Sequence, residues 1–285
     1  YLWTAILTAV FGCALFALIP LLNKERVPYV SGEKTTAKDM FKALKDNKPL
    51  MLVIVSYFLG FGRQMSMGIQ VQAANTILGS QNLVAVLGIV TAVGSMISMA
   101  ICPLLIKKVY ILLSVYGFVA SALSFVVGHF WFKNPDNTVL TVLFYASLFL
   151  IGLQFAAVTL MPMIMTADCV DYYEFETGKR MEGAAYSILT LTIKVCLALG
   201  TALGLVFIQV SGYSDTVAQI AAGTASGFSE KTKDVVFFAY TVVPGFLALI
   251  SIFPIFKYDI VGKKKQDIAD ELQKRRTKAT AEIDN

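Results

Sequence analysis

Residues 139–164 read VLTVLFYASLFLIGLQFAAVTLMPMI, a run of 26 residues that contains no charged side chain. A helix of about 20 predominantly apolar residues crosses the hydrocarbon core of a bilayer. Seven stretches of this kind occur, and the predicted spans are 1–22, 50–72, 83–106, 110–132, 139–164, 184–210 and 235–256. The sequence therefore predicts an all-α integral membrane protein.

The composition supports this class and argues against an enzyme. Of 285 residues, 56% are hydrophobic and 15% are charged, and the mean hydropathy is +0.68, whereas soluble domains carry about 25% charged residues. The four cysteines show no CxxC spacing and His129 is the sole histidine, so neither a disulfide framework nor a metal site is predicted. His129 lies beside Trp131 and is interpreted as an anchor at the membrane interface. No GxSxG, HExxH or P-loop motif occurs.

The distribution of basic residues predicts the orientation of the spans. Of the 24 Lys and Arg residues, 19 fall in alternate connections and the tail after residue 256, and three fall in the remaining connections. The positive-inside rule places the richer side in the cytoplasm, so residue 1 is expected outside and the C-terminus inside. The chain opens within an apolar run, and we interpret it as a fragment of a longer protein in the plasma (inner) membrane.

The predicted organisation is that of the second half of a twelve-span transporter. Residues 1–22 form the last transmembrane helix of the missing N-terminal half, and residues 23–49 form a cytoplasmic middle loop with an amphipathic helix. Residues 50–256 form a six-helix bundle. Residues 257–285 form a basic cytoplasmic tail, either a helix or a disordered arm, that is attracted to anionic membrane lipids. No nucleic-acid partner is expected.

Two basic residues, Arg63 and Lys194, fall inside predicted spans, and such residues are by default candidates for a functional site. Ser187 and Thr190 share a helix face with Lys194, and Gln70 lies seven residues after Arg63 in a glycine-rich stretch. These residues are predicted to line a substrate cavity. Two alternatives stay open: Lys194 pairs with an acid on a neighbouring helix, and Arg63 neutralises an acid of the missing half.

The spans contain no Asp or Glu well inside them, so the ligands of any coupling cation, Na⁺ or H⁺, are expected in the missing N-terminal half. Acidic residues instead follow the fifth span. Asp168, Asp171 and Glu174 recur at i, i+3 and i+6 and line one edge of a predicted short helix, before Arg180 and Glu182. Opposite charges at this density suit a cytoplasmic gate made of salt bridges. A solvated loop is the alternative.

Residues 167–194, ADCVDYYEFETGKRMEGAAYSILTLTIK, resemble a signature of the glycoside–pentoside–hexuronide:cation symporter family. The resemblance implies a major-facilitator fold and symport of a sugar or glycoside with Na⁺ or H⁺. It implies that Lys194 and Thr190 lie near the sugar and cation sites. It assigns the acids of the signature and Arg180 to a cytoplasmic gate. Thr159 stands where a member of the family has a sugar-stacking tryptophan, so this position is a candidate substrate contact without an aromatic platform.

The resulting prediction is the C-terminal half of a cation-coupled sugar symporter that needs no cofactor. Its partners are a sugar or glycoside, the coupling cation, membrane lipids and the missing half of the same chain. A transporter of a non-sugar amphiphile or another organic solute is the first alternative. A membrane enzyme or scaffold subunit is the second.

Overall fold

The computed structural model describes residues 2–22, 45–101 and 106–283, so the predicted helix of the middle loop lies outside the described residues. The described residues form helices and one short 3-10 turn, Gln81–Leu83, and they contain no β-strand. In chain order the helices are α1 Leu2–Leu22, α2 Lys48–Leu59, α3 Arg63–Gly68, α4 Gln70–Leu78, α5 Val84–Ile101, α6 Ile106–Lys133, α7 Thr138–Thr177, α8 Glu182–Val210, α9 Tyr213–Ala221, α10 Glu230–Ile250, α11 Ile252–Ile255 and α12 Lys263–Ile283.

The chain divides into two compact units, residues 1–36 and 37–285. In the first unit, α1 is apolar on all sides and its large side chains, including Trp3 and Phe16, are exposed. A helix of this length rises about 32 Å, which matches the hydrocarbon thickness of a bilayer. Residues 45–101 and 106–283 belong to the second unit.

Four stretches of the described residues are long and apolar enough to cross a membrane: Ile111–Lys133, Thr138–Thr177, Glu182–Val210 and Glu230–Ile255. Three further apolar helices are shorter, at Leu2–Leu18, Lys48–Leu59 and Val84–Ala100. The chain is therefore an all-α, multi-pass membrane protein. The predicted spans 184–210 and 110–132 agree closely with α8 and α6.

α7 differs from the prediction because it does not end where its apolar run ends. Asn137 caps its start by accepting hydrogen bonds from the Val139 and Leu140 amides, and Gly178 ends it with φ 70°. Forty residues rise about 60 Å, roughly twice the hydrocarbon thickness. The predicted separate short helix over 168–174 is therefore wrong, because these residues continue α7 past the apolar part.

The predicted single span 50–72 is divided into α2, α3 and α4. The first break lies at residues 60–62 and the second at Ile69, whose φ of −112° and ψ of 13° are not helical. Gly60 and Gly62 of the glycine-rich stretch lie at the first break. A Cβ added to Gly62 would lie 2.3 Å from Leu247 Cδ1 of α10, so the glycine lets the break pack directly against α10.

Glycines also bring α5 and α7 into close contact. A Cβ on Gly94 would lie 2.5 Å from the Phe149 carbonyl oxygen, and a Cβ on Gly152 would lie 2.3 Å from the Thr91 carbonyl oxygen. Small residues at such crossings let helix backbones approach in a membrane, where lipid tails remove the hydrophobic drive for association. Between α6, α7 and α10 the core is instead aromatic, with Phe237 packed against Phe132 and Phe144.

Candidate functional site

One face of α8 is built for close packing against α3. A Cβ on Gly200 would lie 2.8 Å from the Phe61 carbonyl oxygen and 3.0 Å from the Met65 amide nitrogen. A Cβ on Gly204 would lie 2.5 Å from Ile69 Cγ2. The two glycines are four residues apart and therefore share a face. They let the backbone of α8 lie directly on α3 and on the break before it.

Another face of α8 is polar and exposed. The exposed polar residues are Ser187, Thr190 and Lys194. Leu189 and Cys196 of the same helix are buried. The three polar residues follow the three- and four-residue spacing of one helix face. Within the part of the chain that the structure describes, Lys194 forms no salt bridge or hydrogen bond, so no acid on a neighbouring described helix neutralises it.

Arg63 occupies a different environment from Lys194. It is 6% exposed, at the start of α3. Its Nε donates a hydrogen bond to the Gly60 carbonyl oxygen at 2.8 Å, and its guanidinium carbon lies 4.6 Å from the centre of the Tyr57 ring. The Tyr57 hydroxyl in turn accepts a hydrogen bond from Gln64 Nε2 at 3.1 Å. Arg63 is thus folded into the break between α2 and α3.

The remaining two predicted substrate residues are half-buried. Gln70 begins α4, beyond the break at Ile69, and its Nε2 would lie 3.3 Å from a Cβ on Gly88 of α5. Arg63 and Gln70 are therefore on different helices, although seven residues separate them. Thr159 lies within α7.

The charged residues after the apolar part of α7 converge on one guanidinium. Arg180 Nη1 lies 2.6 Å from Glu174 Oε2 and 3.1 Å from Asp171 Oδ1, and Arg180 Nη2 lies 2.9 Å from Glu182 Oε2. Gly178 turns the chain so that Arg180 reaches back to the end of α7. Burial alone would lower the pKa of the Arg180 guanidinium, but its hydrogen bonds to the three carboxylates raise that pKa above the ordinary value.

We call these four residues, Asp171, Glu174, Arg180 and Glu182, the ion-pair cluster. Asp168, which was predicted with them, is not bound to Arg180. Its Oδ1 lies 2.7 Å from Lys265 Nζ of α12. The structure thus brings four of the five gate candidates together in one charged group and places the fifth in a separate contact.

The C-terminal helix α12 packs onto the exposed end of α7. Ile268 and Leu272 are buried at 5% and 3% exposure in a cluster that includes Met165, Cys169 and Val170. Four-residue spacing puts both on one face of a helix that is otherwise strongly polar. The tail is therefore a docked helix, and the alternative of a disordered arm is wrong for residues 263–283.

Basic residues of α12 extend the ion-pair cluster. Arg276 Nη2 lies 3.0 Å from Glu174 Oε2, so Glu174 is shared with Arg180. Arg275 Nη1 donates to the Phe175 carbonyl oxygen at 3.2 Å, near the C-terminal end of α7, where a positive charge is favourable. The sequence pattern did not predict these contacts. The signal available was the apolar pair Ile268 and Leu272 among charged neighbours.

Near the C-terminal end of α6, His129 forms a contact with Asp234. Its Nδ1 lies 2.9 Å from Asp234 Oδ2, and this contact joins α6 to the first turns of α10. The sequence predicted that His129 lies at the membrane interface but did not predict that Asp234 binds it. Asp234 lies one residue before the predicted span 235–256. Among the described residues, no three His, Cys, Asp or Glu side chains form a group that could hold a metal ion.

The fold and the site together define a polytopic membrane protein with a polar face on a spanning helix and an ion-pair cluster beyond the apolar zone. A family model described as MFS/sugar transport protein matches residues 1–262. The chain belongs to this family, a branch of the major facilitator superfamily. The family match confirms the fold that the 167–194 signature implied.

Three relatives illustrate the range of the similarity. A protein of Escherichia coli (strain K12), provisionally named a sulfoquinovose importer, is 27% identical over 260 residues, which are 88% of this chain and 51% of that protein. The lactose permease of Lactobacillus delbrueckii subsp. bulgaricus is 28% identical over 246 residues, 85% of this chain and 37% of the permease. A protein of Salmonella typhimurium (strain LT2), provisionally named a 2,3-dihydroxypropane-1-sulfonate exporter, is 28% identical over 294 residues, 97% of this chain and 58% of that protein. The chain spans about half the length of the curated relatives it matches.

Proposed function

We propose that this chain is the C-terminal half of a secondary active transporter that carries a sugar or glycoside together with Na⁺ or H⁺ by alternating access. Family membership and the sugars in the names of two relatives support the proposal. The observation that carries it is the exposed polar face of α8. A lysine in the middle of a 29-residue apolar helix is costly in lipid unless it faces a water-filled cavity or a partner.

The chemistry of this face suits a polyhydroxylated substrate. The Lys194 ammonium donates hydrogen bonds, and the hydroxyls of Ser187 and Thr190 donate and accept them. Sugar hydroxyls and ring oxygens offer the complementary groups. The substrate contacts of Gln70 and Thr159 stay predictions for the same cavity, and the ligands of the coupling cation are expected outside this chain.

The ion-pair cluster is proposed as part of the gate on the cytoplasmic side, with the C-terminus of the chain in the cytoplasm. Its pairs are partly exposed, and such pairs are worth about 0.2–1 kcal/mol each. A cluster of this strength can open and close without a large change in free energy. The contacts from Lys265 and Arg276 make α12 a part of the same closed arrangement.

The test is uptake of labelled hexosides, pentosides and hexuronides by the full-length transporter in proteoliposomes, with and without an imposed Na⁺ or proton gradient. We expect gradient-driven uptake of one class, and a loss of about 100-fold in Lys194→Ala because the central donor is removed. Lys231→Ala removes an exposed lysine from the first turn of α10 and serves as the matched control. Absence of uptake of every sugar under both gradients would contradict the proposal.

A second candidate is transport of a small organic sulfonate. The provisional name of the Salmonella relative, which aligns with nearly the whole of this chain, specifies such a compound. The cationic Lys194 on an exposed polar face fits a sulfonate group as well as it fits a sugar hydroxyl. Adding 2,3-dihydroxypropane-1-sulfonate to the uptake panel separates the two candidates.

A further inference from the structure

Arg63 fills a space that is kept open by a glycine. A Cβ on Gly60 would lie 1.9 Å from Arg63 Nη2 and 2.9 Å from its guanidinium carbon. The same guanidinium lies over the Tyr57 ring, and its Nε binds the Gly60 carbonyl oxygen. Backbone and ring therefore hold the arginine on the turn between α2 and α3.

Burial of a cation in this place has an energetic cost that contacts must offset. Arg63 is only 6% exposed within this unit. Further chain packed around the unit can bury Arg63 more deeply but cannot expose it while these contacts last. Arg63 therefore contacts the turn between α2 and α3 and can stabilise its backbone conformation.

The break is the surface on which α8 rests. Gly200 of α8 approaches the Phe61 carbonyl oxygen and the Met65 amide, on either side of the start of α3. Cys196 of α8 is fully buried, and its Sγ lies 3.8 Å from the Tyr57 carbonyl oxygen, to which it donates. Cys196 is two residues from Lys194, about 3 Å along the helix axis. A shift of the backbone at the break would therefore move the part of α8 that lies next to Lys194.

We propose that Arg63 is a positioning residue of the transport site: folded over Gly60 and Tyr57, it fixes the break between α2 and α3 and so sets the place of α8 and of Lys194. The inference rests on the proposed function for its link to substrate. Its structural part, that Arg63 holds α8 on the break, can be measured without any substrate.

The first measurement is the rate at which N-ethylmaleimide labels Cys196 in the full-length protein, with every other cysteine replaced by alanine. Arg63→Met removes the guanidinium, and Gly60→Ala keeps the arginine but forces it out of its space. Gly227→Ala is the control, because a Cβ there meets nothing within 4 Å and the φ of Gly227 suits any residue. We expect both test variants to raise the labelling rate about tenfold by opening the contact over Cys196, and the control to leave it unchanged.

The second measurement is uptake of one neutral and one anionic glycoside by the same variants without cysteine replacement. A positioning role predicts that Arg63→Met and Gly60→Ala raise KM for both substrates by a similar factor, about tenfold. A loss confined to the anionic substrate, in Arg63→Met alone, would show direct contact with substrate and overturn the inference. An unchanged labelling rate in both variants would overturn it as well.

The two readouts keep this inference separable from the proposed function. If wild type moves neither glycoside, the proposed function fails while the labelling rates still decide whether Arg63 holds α8 on the break. If Arg63→Met does not yield folded protein, as judged by a single peak in size-exclusion chromatography, Gly60→Ala carries the test because it retains the charge.

Discussion

Arg63 and Lys194 are the two basic residues within the predicted spans, and the fold treats them in opposite ways. Arg63 is buried in a break between helices, where Gly60 accepts a hydrogen bond from it and the Tyr57 ring makes an aromatic contact with it. Lys194 is exposed on an unbroken helix and has no partner among the described residues. The rule that a cation inside a span marks a functional site therefore covers two physical roles. Arg63 holds the backbone at the break, whereas Lys194 is accessible to a ligand.

The difference arises from the glycines around each residue. Gly60 leaves room for the guanidinium to fold back, and Gly62 lets the break touch α10. On α8, Gly200 and Gly204 lie on the face toward α3, so that face is occupied by backbone contacts. Lys194 projects from another face of the same helix. The two faces of α8 therefore have different roles. The face with Gly200 and Gly204 packs against α3, and the face with Lys194 is proposed to bind substrate.

The largest expected effect distinguishes these two faces of α8. Gly200→Val places side-chain atoms against the Phe61 carbonyl oxygen, and we expect it to lower the free energy of unfolding by about 3 kcal/mol, at the upper end for an overpacked core. Ala198→Val introduces the same side chain, with two added carbon atoms instead of three, on an exposed part of the helix and is expected to cost less than about 0.5 kcal/mol. Denaturation of the purified protein in detergent measures both. Equal losses would show that the packing face is not as described.

The next effect compares the two cations directly. Arg63→Ala removes a buried hydrogen bond and a cation–π contact, so we expect a loss of about 2 kcal/mol in the free energy of unfolding. Lys194→Ala removes an exposed side chain and is expected to change stability by less than about 0.5 kcal/mol, although we expect it to lower uptake about 100-fold. The same detergent unfolding assay reports both values. A large loss of stability in Lys194→Ala would indicate a structural role for that lysine and weaken the comparison.

The smallest effect belongs to the ion-pair cluster, where charges are paired but partly exposed. Glu174→Gln weakens contacts to Arg180 and Arg276, and we expect a loss of about 1 kcal/mol that shrinks as salt is added. Glu176→Gln makes the same change at an exposed acid on the same helix and should have almost no effect. Thermal unfolding at low and high ionic strength measures the difference. A loss in Glu174→Gln that salt leaves unaltered would argue against an electrostatic origin.

Much of the fold was predictable from the sequence because long apolar runs must be helical in a bilayer. The predicted span 184–210 differs from α8 by two residues at its start. The end of α7 was missed for a physical reason: a helix continues as long as its backbone bonds and packing allow, and the packing of α12 on residues 165–175 supports it beyond the apolar run. Hydropathy indicates whether a segment lies in lipid or in water, and it gives no information on a contact between distant helices.

The candidate site was predicted in part. The face that contains Ser187, Thr190 and Lys194 follows from helix periodicity alone, because residues three and four apart share a face. The burial of Arg63 does not follow from periodicity, since Arg63 lies at a break where the helical pattern is interrupted. The partners Lys265 and Arg276 are about 100 residues from the acids they bind, a separation at which local pattern contains no information on contact.

By itself, the sequence determined the membrane class, the helical spans, the family and the charge pattern of the segment 167–194, because composition and local period are properties of each segment alone. Only the tertiary structure decided that Arg63 is buried while Lys194 is exposed, that Asp168 pairs with Lys265 of α12 and not with Arg180, and that the basic tail is docked. Each of these depends on which distant helix fills the space beside a residue, and that is fixed by the packing of the whole unit.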